Sequence, residues 1–410
     1  MSDPIPYDQI SAVFDSGADA GLAALAEAMQ KAADFHGLYR TLLLRKRHEL
    51  GLPLLGTSDL SGCPADKRKA YEEFTQQTCR ETGMRCLEAG KVVQAWRYLS
   101  VVGDRQSVRD AIEKLDPKDI NDEIAGIALR DGIHPPLGFE WVIKNRGLEK
   151  ALDMFEAGQP AAVADKPECA ALLVRALYKE LVLSVGKAIL EHGEELPPEA
   201  DLVEMIRNRQ WLFSGGGIHA NARHIGAIAQ IGLLCQQTDD LIMALSINEY
   251  GRMLDYQHHP SGQVPFDQGF ADYALYARAL LGQEADYNAN NFRCKLISYA
   301  GSGMATAQAE LVILLFWRMG QKEDALDLWQ QYMTCSEPEK PGTYIPSFYD
   351  LCIEAGAFKR MADAAKIQDD VVAWAAARAL EAKIAPPAAA PENAPATTSP
   401  QPAEETESLS

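Results

Sequence analysis

The densest collection of chemistry-bearing side chains lies between residues 214 and 260. Ser214-Gly215-Gly216-Gly217 leads into Ile218-His219-Ala220-Asn221-Ala222-Arg223-His224, and Arg252 and Asp255 precede His258-His259-Pro260. These two stretches hold four of the eight histidines. Glycines ahead of a helix leave backbone N–H groups at a terminus whose dipole favours negative charge, which is the chemistry of an anion or small-ligand pocket. Imidazoles joined by a carboxylate are instead the donor set of a transition metal. The third reading is plainer: a flexible connector, followed by polar residues that satisfy a helix end and its neighbouring loop.

Whether these side chains meet depends on the helices between them. Ile225, Ile228, Gly232 and Cys235 fall on one stripe, with Arg223, Gln230 and Gln237 off it, so a helix is predicted from about Ile225 to near Gln237. Thr238-Asp239 then caps a second helix running to about Leu254. In a hairpin hinged at residue 238, His219 lies 19 residues before the hinge and His258 lies 20 after it. His219 should therefore meet the His258-His259 pair, with Asp255 nearby and His224 opposite Arg252. His219 and His224 are about 140° apart around a helix, which weighs against both ligating one metal. Trp211 and Phe213 before this region, and Phe266, Phe270, Tyr273 and Tyr276 after it, read as core; an apolar wall beside the polar end is the alternative.

Elsewhere the chain carries little recognisable chemistry. It has no GxSxG, HExxH, Walker, GxGxxG or EF-hand pattern, no catalytic residue is assigned, and no cofactor is expected. His36, His48, His134 and His192 are each isolated from other candidate ligands. The eight cysteines form no CxxC pair; Cys79 and Cys86, seven apart, share a helix face as small hydrophobes, with a metal or redox pair as the sharper reading. Scattered thiols suit a reducing compartment, and Met1-Ser2-Asp3-Pro4 has no secretory pattern, so a cytoplasmic location is expected.

The chain's 39 Lys and Arg against 58 Asp and Glu give a net charge of −19. Such an excess repels phosphate backbones and anionic lipid, so neither nucleic acid nor membrane is an expected partner. The short runs Arg45-Lys46-Arg47 and Lys67-Arg68-Lys69 have acidic neighbours and read as solvated helix faces. The longest run of large apolar residues, Leu311 to Trp317, is far shorter than a bilayer span.

Apolar residues recur at three and four almost throughout and period-two alternation is nearly absent, so the fold class is all-α. The helix breaks repeat a pattern. Gly90 is followed by Ala95-Trp96, Gly147 by Ala151-Leu152, Gly320 by Ala325-Leu326 and Trp329, and Gly356 by Phe358 and Met361. In each, Gly can end one helix and a small or apolar residue lets the next fold back against it. Gly320 and Gly356 are 36 residues apart, near the ~34-residue period of helical-hairpin repeats.

On these residues the chain resembles tetratricopeptide-like repeats. Phe316, Gly320, Ala325 and Trp329 occupy the repeat's aromatic, Gly, Ala and aromatic positions, and Pro338 falls near its closing proline. Ala309, Val312 and Ile313 replace its early Trp and Leu-Gly pair. The likeness covers about residues 305–365, is fragmentary around 78–103, and is irregular elsewhere. It implies an α-α superhelix and names no ligand.

His134-Pro135-Pro136 should end one helix and open another, packed through Leu137, Phe139, Trp141 and Val142. Pro167 marks the first turn of a long helix ending near Glu191, and Pro197-Pro198 divides an N-terminal helical region, 1–192, from a C-terminal one, 199–383. Residues 384–410, with six Pro, seven Ala, four Glu and no basic residue, are expected to be a disordered tail. The expected function is a non-catalytic scaffold for a protein or peptide partner of basic character. The alternative is a small-ligand or metal-binding protein, or an enzyme, built on the histidine corner.

Overall fold

The glycine breaks are where the chain reverses. Gly320 (φ 78°) and Gly356 (φ 70°, ψ 18°) hold the left-handed conformation that ends a helix, and Gly90 and Gly147 also have positive φ. The small residues that follow them, Ala95, Ala151 and Ala325, are fully buried against the preceding helix. In the computed structural model, which describes residues 7–54, 60–196, 199–298, 306–333 and 336–384, the result is helical throughout, with no strand among those residues.

Twenty α-helices are found among the described residues. The first six are α1 (Tyr7–Phe14), α2 (Ala18–Lys31), α3 (Phe35–Leu50), α4 (Ala65–Glu88), α5 (Val92–Leu99) and α6 (Arg105–Glu113). Then come α7 (Asp122–Arg130), α8 (Pro135–Arg146), α9 (Leu148–Glu156), α10 (Lys166–Glu191), α11 (Leu202–Ile206), α12 (Ala222–Ile231) and α13 (Thr238–Gly251). The last are α14 (Phe270–Leu280), α15 (Ala285–Ser298), α16 (Thr306–Arg318), α17 (Lys322–Tyr332), α18 (Phe348–Ala355), α19 (Phe358–Ile367) and α20 (Val371–Ile384). Nearly every helix packs on its neighbour in the chain. As expected, α8 opens at His134-Pro135-Pro136: the His134 ring accepts the Leu137 N–H, and Pro135 supplies a residue with no N–H to satisfy.

Two apolar cores form. A small one joins α4 to α7 through Cys86, Ala95, Leu99, Val108 and Ile112. A large one runs from Leu129 to Ala377, with α10 at its centre. The 26-residue α10 buries Leu173, Leu177, Leu181 and Val185 and packs against α8, α9, α11, α12 and α13. Residues 197–198 lie outside the described residues, but the core is continuous on either side of them, with Ile189 and Leu202 in the same cluster. The tail beyond Ile384 also lies outside the described residues.

One helix end departs from expectation. The helix predicted to reach Gln237 stops at Ile231 and continues as a short 3-10 turn, Gly232–Leu234. A Cβ on Gly232 would come within 2.8 Å of Ala244 Cβ on α13, and Arg318, from the end of α16, donates to the carbonyls of Leu233 and Cys235. A cation 80-odd residues downstream thus satisfies the helix end, and no local pattern reports it. The following helix also ends early, at Gly251. No described helix is long and apolar enough to cross a membrane.

Candidate functional site

The hairpin of α12 and α13 brings the glycine run and the 255–260 loop to one end, but among the described residues no hydrogen bond or ring contact joins His219 to His258 or His259: His219 turns to Tyr250 and Phe213 instead. The backbone N–H of His219 donates to the Tyr250 hydroxyl of α13 at 3.0 Å, and His219 Nδ1 lies 2.8 Å from the same oxygen. A Cβ on Gly216 would lie 3.7 Å from Asp255 Oδ2, and one on Gly226 of α12 would lie 3.6 Å from Pro260 Cβ. The glycine run, Asp255 and the 256–260 loop are therefore neighbours.

The side chains are nevertheless occupied one by one. Besides its bond to Tyr250, His219 meets Phe213 edge-on; burial lowers its pKa. His259 Nε2 bonds the Leu254 carbonyl at 3.1 Å while its ring meets Phe270 edge-on, and His258 has only its neighbour Gln257, at 3.3 Å. Asn221 caps α12 by accepting the Arg223 N–H, so the predicted anion-binding terminus is already capped by its own chain. Arg223 forks to Asp153 (2.8 Å) and Glu156 (2.6 Å) of α9. Arg252, expected opposite His224, instead pairs with Glu249 at 3.1 Å. His224 is buried, 8% exposed, with no hydrogen bond at either nitrogen. Among the described residues no group of three His, Cys, Asp or Glu is placed to hold a metal ion. Phe213, Phe266, Phe270, Tyr273 and Tyr276 are core.

Cys79 and Cys86 are both buried, and the Cys79 thiol donates to the Tyr39 hydroxyl at 3.5 Å. The four remaining histidines also have local roles. His36 bonds Tyr98 OH (2.8 Å), His48 Nδ1 sits 2.9 Å from Asp19, His134 caps α8, and His192 stacks on Trp211 at 3.8 Å between centroids.

A second site was not singled out from the sequence. Lys166, the first residue of α10, is 8% exposed, and Glu310, inside α16, is 2% exposed. Both hold the turn at Gly342–Ile345. Glu310 accepts the Tyr344 N–H at 2.7 Å and the Thr343 N–H, while Lys166 Nζ donates to the Thr343 carbonyl at 2.6 Å. Nζ also sits 5.4 Å from the centre of the Tyr344 ring. A Cβ on Gly342 would fall 2.6 Å from Glu310 Oε1, so glycine is what lets the turn close over the carboxylate. Burial lowers the Lys166 pKa, partly opposed by Glu310; burial raises that of Glu310, opposed by the two N–H donors and by Lys166.

Beside this pair lies a chamber of about 170 Å³, lined among others by Phe155, Glu156, Gln230, Ile231, Leu234 and Leu311. It exists because the 342–345 turn folds back onto a helix that begins 177 residues before Thr343. Two sequence signals point here. A lysine in a first helical turn opposes the helix dipole. Glu310 is also the one charge in the run Ala309-Glu310-Leu311-Val312-Ile313-Leu314-Leu315-Phe316.

Compared with protein-family models, with curated proteins and with solved structures, the chain finds no match.

Proposed function

We propose that the protein is a non-catalytic interaction scaffold of the α-solenoid type, with tetratricopeptide-like hairpins that present a groove to a protein or peptide partner. Sequence-adjacent antiparallel helices bury only the faces turned toward one another and leave inner faces free along the stack. The observation that carries the reading is a groove of about 540 Å³ on the N-terminal hairpins. Its wall combines Phe35, His36 and Tyr39 of α3 with Gln94, Arg97 and Tyr98 of α5, and Lys91 stands at its edge, 4.8 Å from the Phe35 ring centre. Tyr39 and Tyr98 pack at 5.1 Å between centroids, and their hydroxyls are held by Cys79 and His36, giving a firm aromatic surface. Rigid phenols flanked by cations are suited to grip an extended peptide.

The local charge refines the choice of partner. Residues 1–116 hold 15 Lys and Arg against 17 Asp and Glu, so the acidic excess belongs mainly to the rest of the chain. Lys91 and Arg97 outnumber Asp34 in the groove, which favours a segment bearing acidic and apolar side chains over the basic partner suggested by net charge. A peptide-array screen with the full chain tests this. Retention of acidic-aromatic peptides, lost in a Lys91→Glu, Arg97→Glu variant of unchanged helical circular dichroism, supports the reading. Absence of retained peptides, or retention indifferent to that change, overturns it.

The alternative, ligand or metal binding by His219, His224, His258 and His259, is weaker because three of these rings have partners within the corner. His224 is the member left without one.

A further inference from the structure

We propose that the chamber beside Lys166 binds a small monocarboxylate with a compact apolar body, its carboxylate held by the Lys166 ammonium and its body packed against Phe155, Ile231, Leu234 and Leu311.

The first argument is an unmet valence. A lysine ammonium has three N–H donors. At Lys166 one is taken by the Thr343 carbonyl, and no carboxylate of the described residues lies within ion-pair distance of Nζ. A buried ammonium lacking acceptors is among the costlier arrangements a fold can hold, and an oxyanion would supply two acceptors together with the opposite charge.

The second argument is charge allocation. The Glu310 carboxylate is turned to the N–H groups of Thr343 and Tyr344. Glu156, at the chamber wall, is held by Arg223 at 2.6 Å. The positive charge of Lys166 therefore has Glu310 only at longer range and the Tyr344 ring face, with no described carboxylate in an ion pair, and this favours an anion over a cation. A neutral alcohol could accept one N–H and would leave the charge unmatched. Burial already pulls the Lys166 pKa below the ordinary amine range, and a bound carboxylate would restore it.

The third argument is size and lining. A volume of about 170 Å³ is close to that of an engineered cavity of about 150 Å³ that admits benzene, so the ligand is limited to a small ring or short branched chain. The apolar residues form the wall, while Gln230 and Tyr344 add polar groups that could orient a carboxylate.

The test is calorimetric titration and thermal shift of the full chain with benzoate, butyrate and isobutyrate, with benzyl alcohol and benzylamine as controls. At least one carboxylate should bind and raise the melting temperature, with benzyl alcohol weaker by about tenfold or more and benzylamine silent. Lys166→Met should abolish binding. Because Lys166 also holds the 342–345 turn, Ala227→Leu serves as the second variant: it fills the chamber, keeps the lysine, and should lose binding while retaining helical circular dichroism. The groove variant Lys91→Glu, Arg97→Glu should bind carboxylates unchanged, which separates this site from the peptide groove. The proposal fails if no carboxylate binds at tens of millimolar, if benzyl alcohol matches benzoate, or if Ala227→Leu binds like the parent chain.

Discussion

The corner at the end of the α12–α13 hairpin and the chamber at the start of α10 differ in a way their compositions reverse. The corner holds four imidazoles, two guanidinium groups and a carboxylate, and most have a partner within hydrogen-bond reach. The chamber has one buried lysine in its wall and a buried glutamate beside it, and among the described residues the lysine has a single hydrogen-bond acceptor, the Thr343 carbonyl, with the Tyr344 ring nearby. A polar side chain signals function through the interaction it still lacks after folding, and the number of such side chains in a stretch is a poor guide to that. In the corner, Tyr250, Asn221 and the Leu254 carbonyl absorb the polarity as the helices pack. In the chamber, burial outran pairing.

The contrast can be broken most directly at Glu310. Glu310→Leu removes the acceptor of the part-buried Tyr344 N–H and should cost about 2–3 kcal/mol of unfolding free energy in urea. Tyr250→Phe, which removes the hydroxyl beneath both the backbone and the ring of His219, should cost about 1–2 kcal/mol in the same assay. If Tyr250→Phe proves the more damaging, the corner rather than the chamber carries the more consequential polar contacts.

The pH dependence sharpens the same comparison. Burial lowers the folded-state pKa of His219 from its ordinary 6.5. Protonation also puts an N–H on Nδ1, against the Tyr250 hydroxyl that needs an acceptor there. Over the window below about pH 6.5 the unfolded chain binds the proton more readily than the folded one, so this residue's contribution to stability is present above that value and is lost as pH falls. Urea midpoints measured from about pH 8 down to about pH 5 should decline, and less steeply in His219→Asn. The smallest effect is expected at His258, whose ring among the described residues bonds its neighbour Gln257 alone: His258→Ala should stay within about 0.5 kcal/mol of the parent chain.

Much of the fold was legible because it rests on local chemistry. Gly320 and Gly356 announce the reversals after α16 and α18, His134-Pro135-Pro136 announces the start of α8, and the helix expected from Pro167 to near Glu191 matches α10 to within a residue or two. The apolar run in α16, too short for a bilayer, enters the large core through Leu311, Val312, Ile313 and Leu315. The ends of α12 and α13 were misjudged because they are set from a distance or by close packing: Arg318 reaches the Leu233 carbonyl, and Gly251 leaves no room for a side chain beside Phe270. For the site, hairpin arithmetic set His219 against His258 and His259 with Asp255 nearby, whereas the structure puts Gly216 near Asp255 and His219 on Tyr250 of α13. The arithmetic had no means of anticipating that Tyr250 would occupy His219 or that α9 would claim Arg223.

Periodicity and helix-ending glycines act within a few residues of one another, so the order of amino acids alone set the helical class and several of the helix starts and reversals. The chamber was decided by the tertiary structure. Lys166 and Thr343 are 177 residues apart, and only when the 342–345 turn closes over α10 do a misplaced lysine and a glutamate in an apolar helix come to hold the same turn beside the chamber. Which charges are left unmatched is a property of that closure, because pairing depends on distance in space and is blind to distance along the chain.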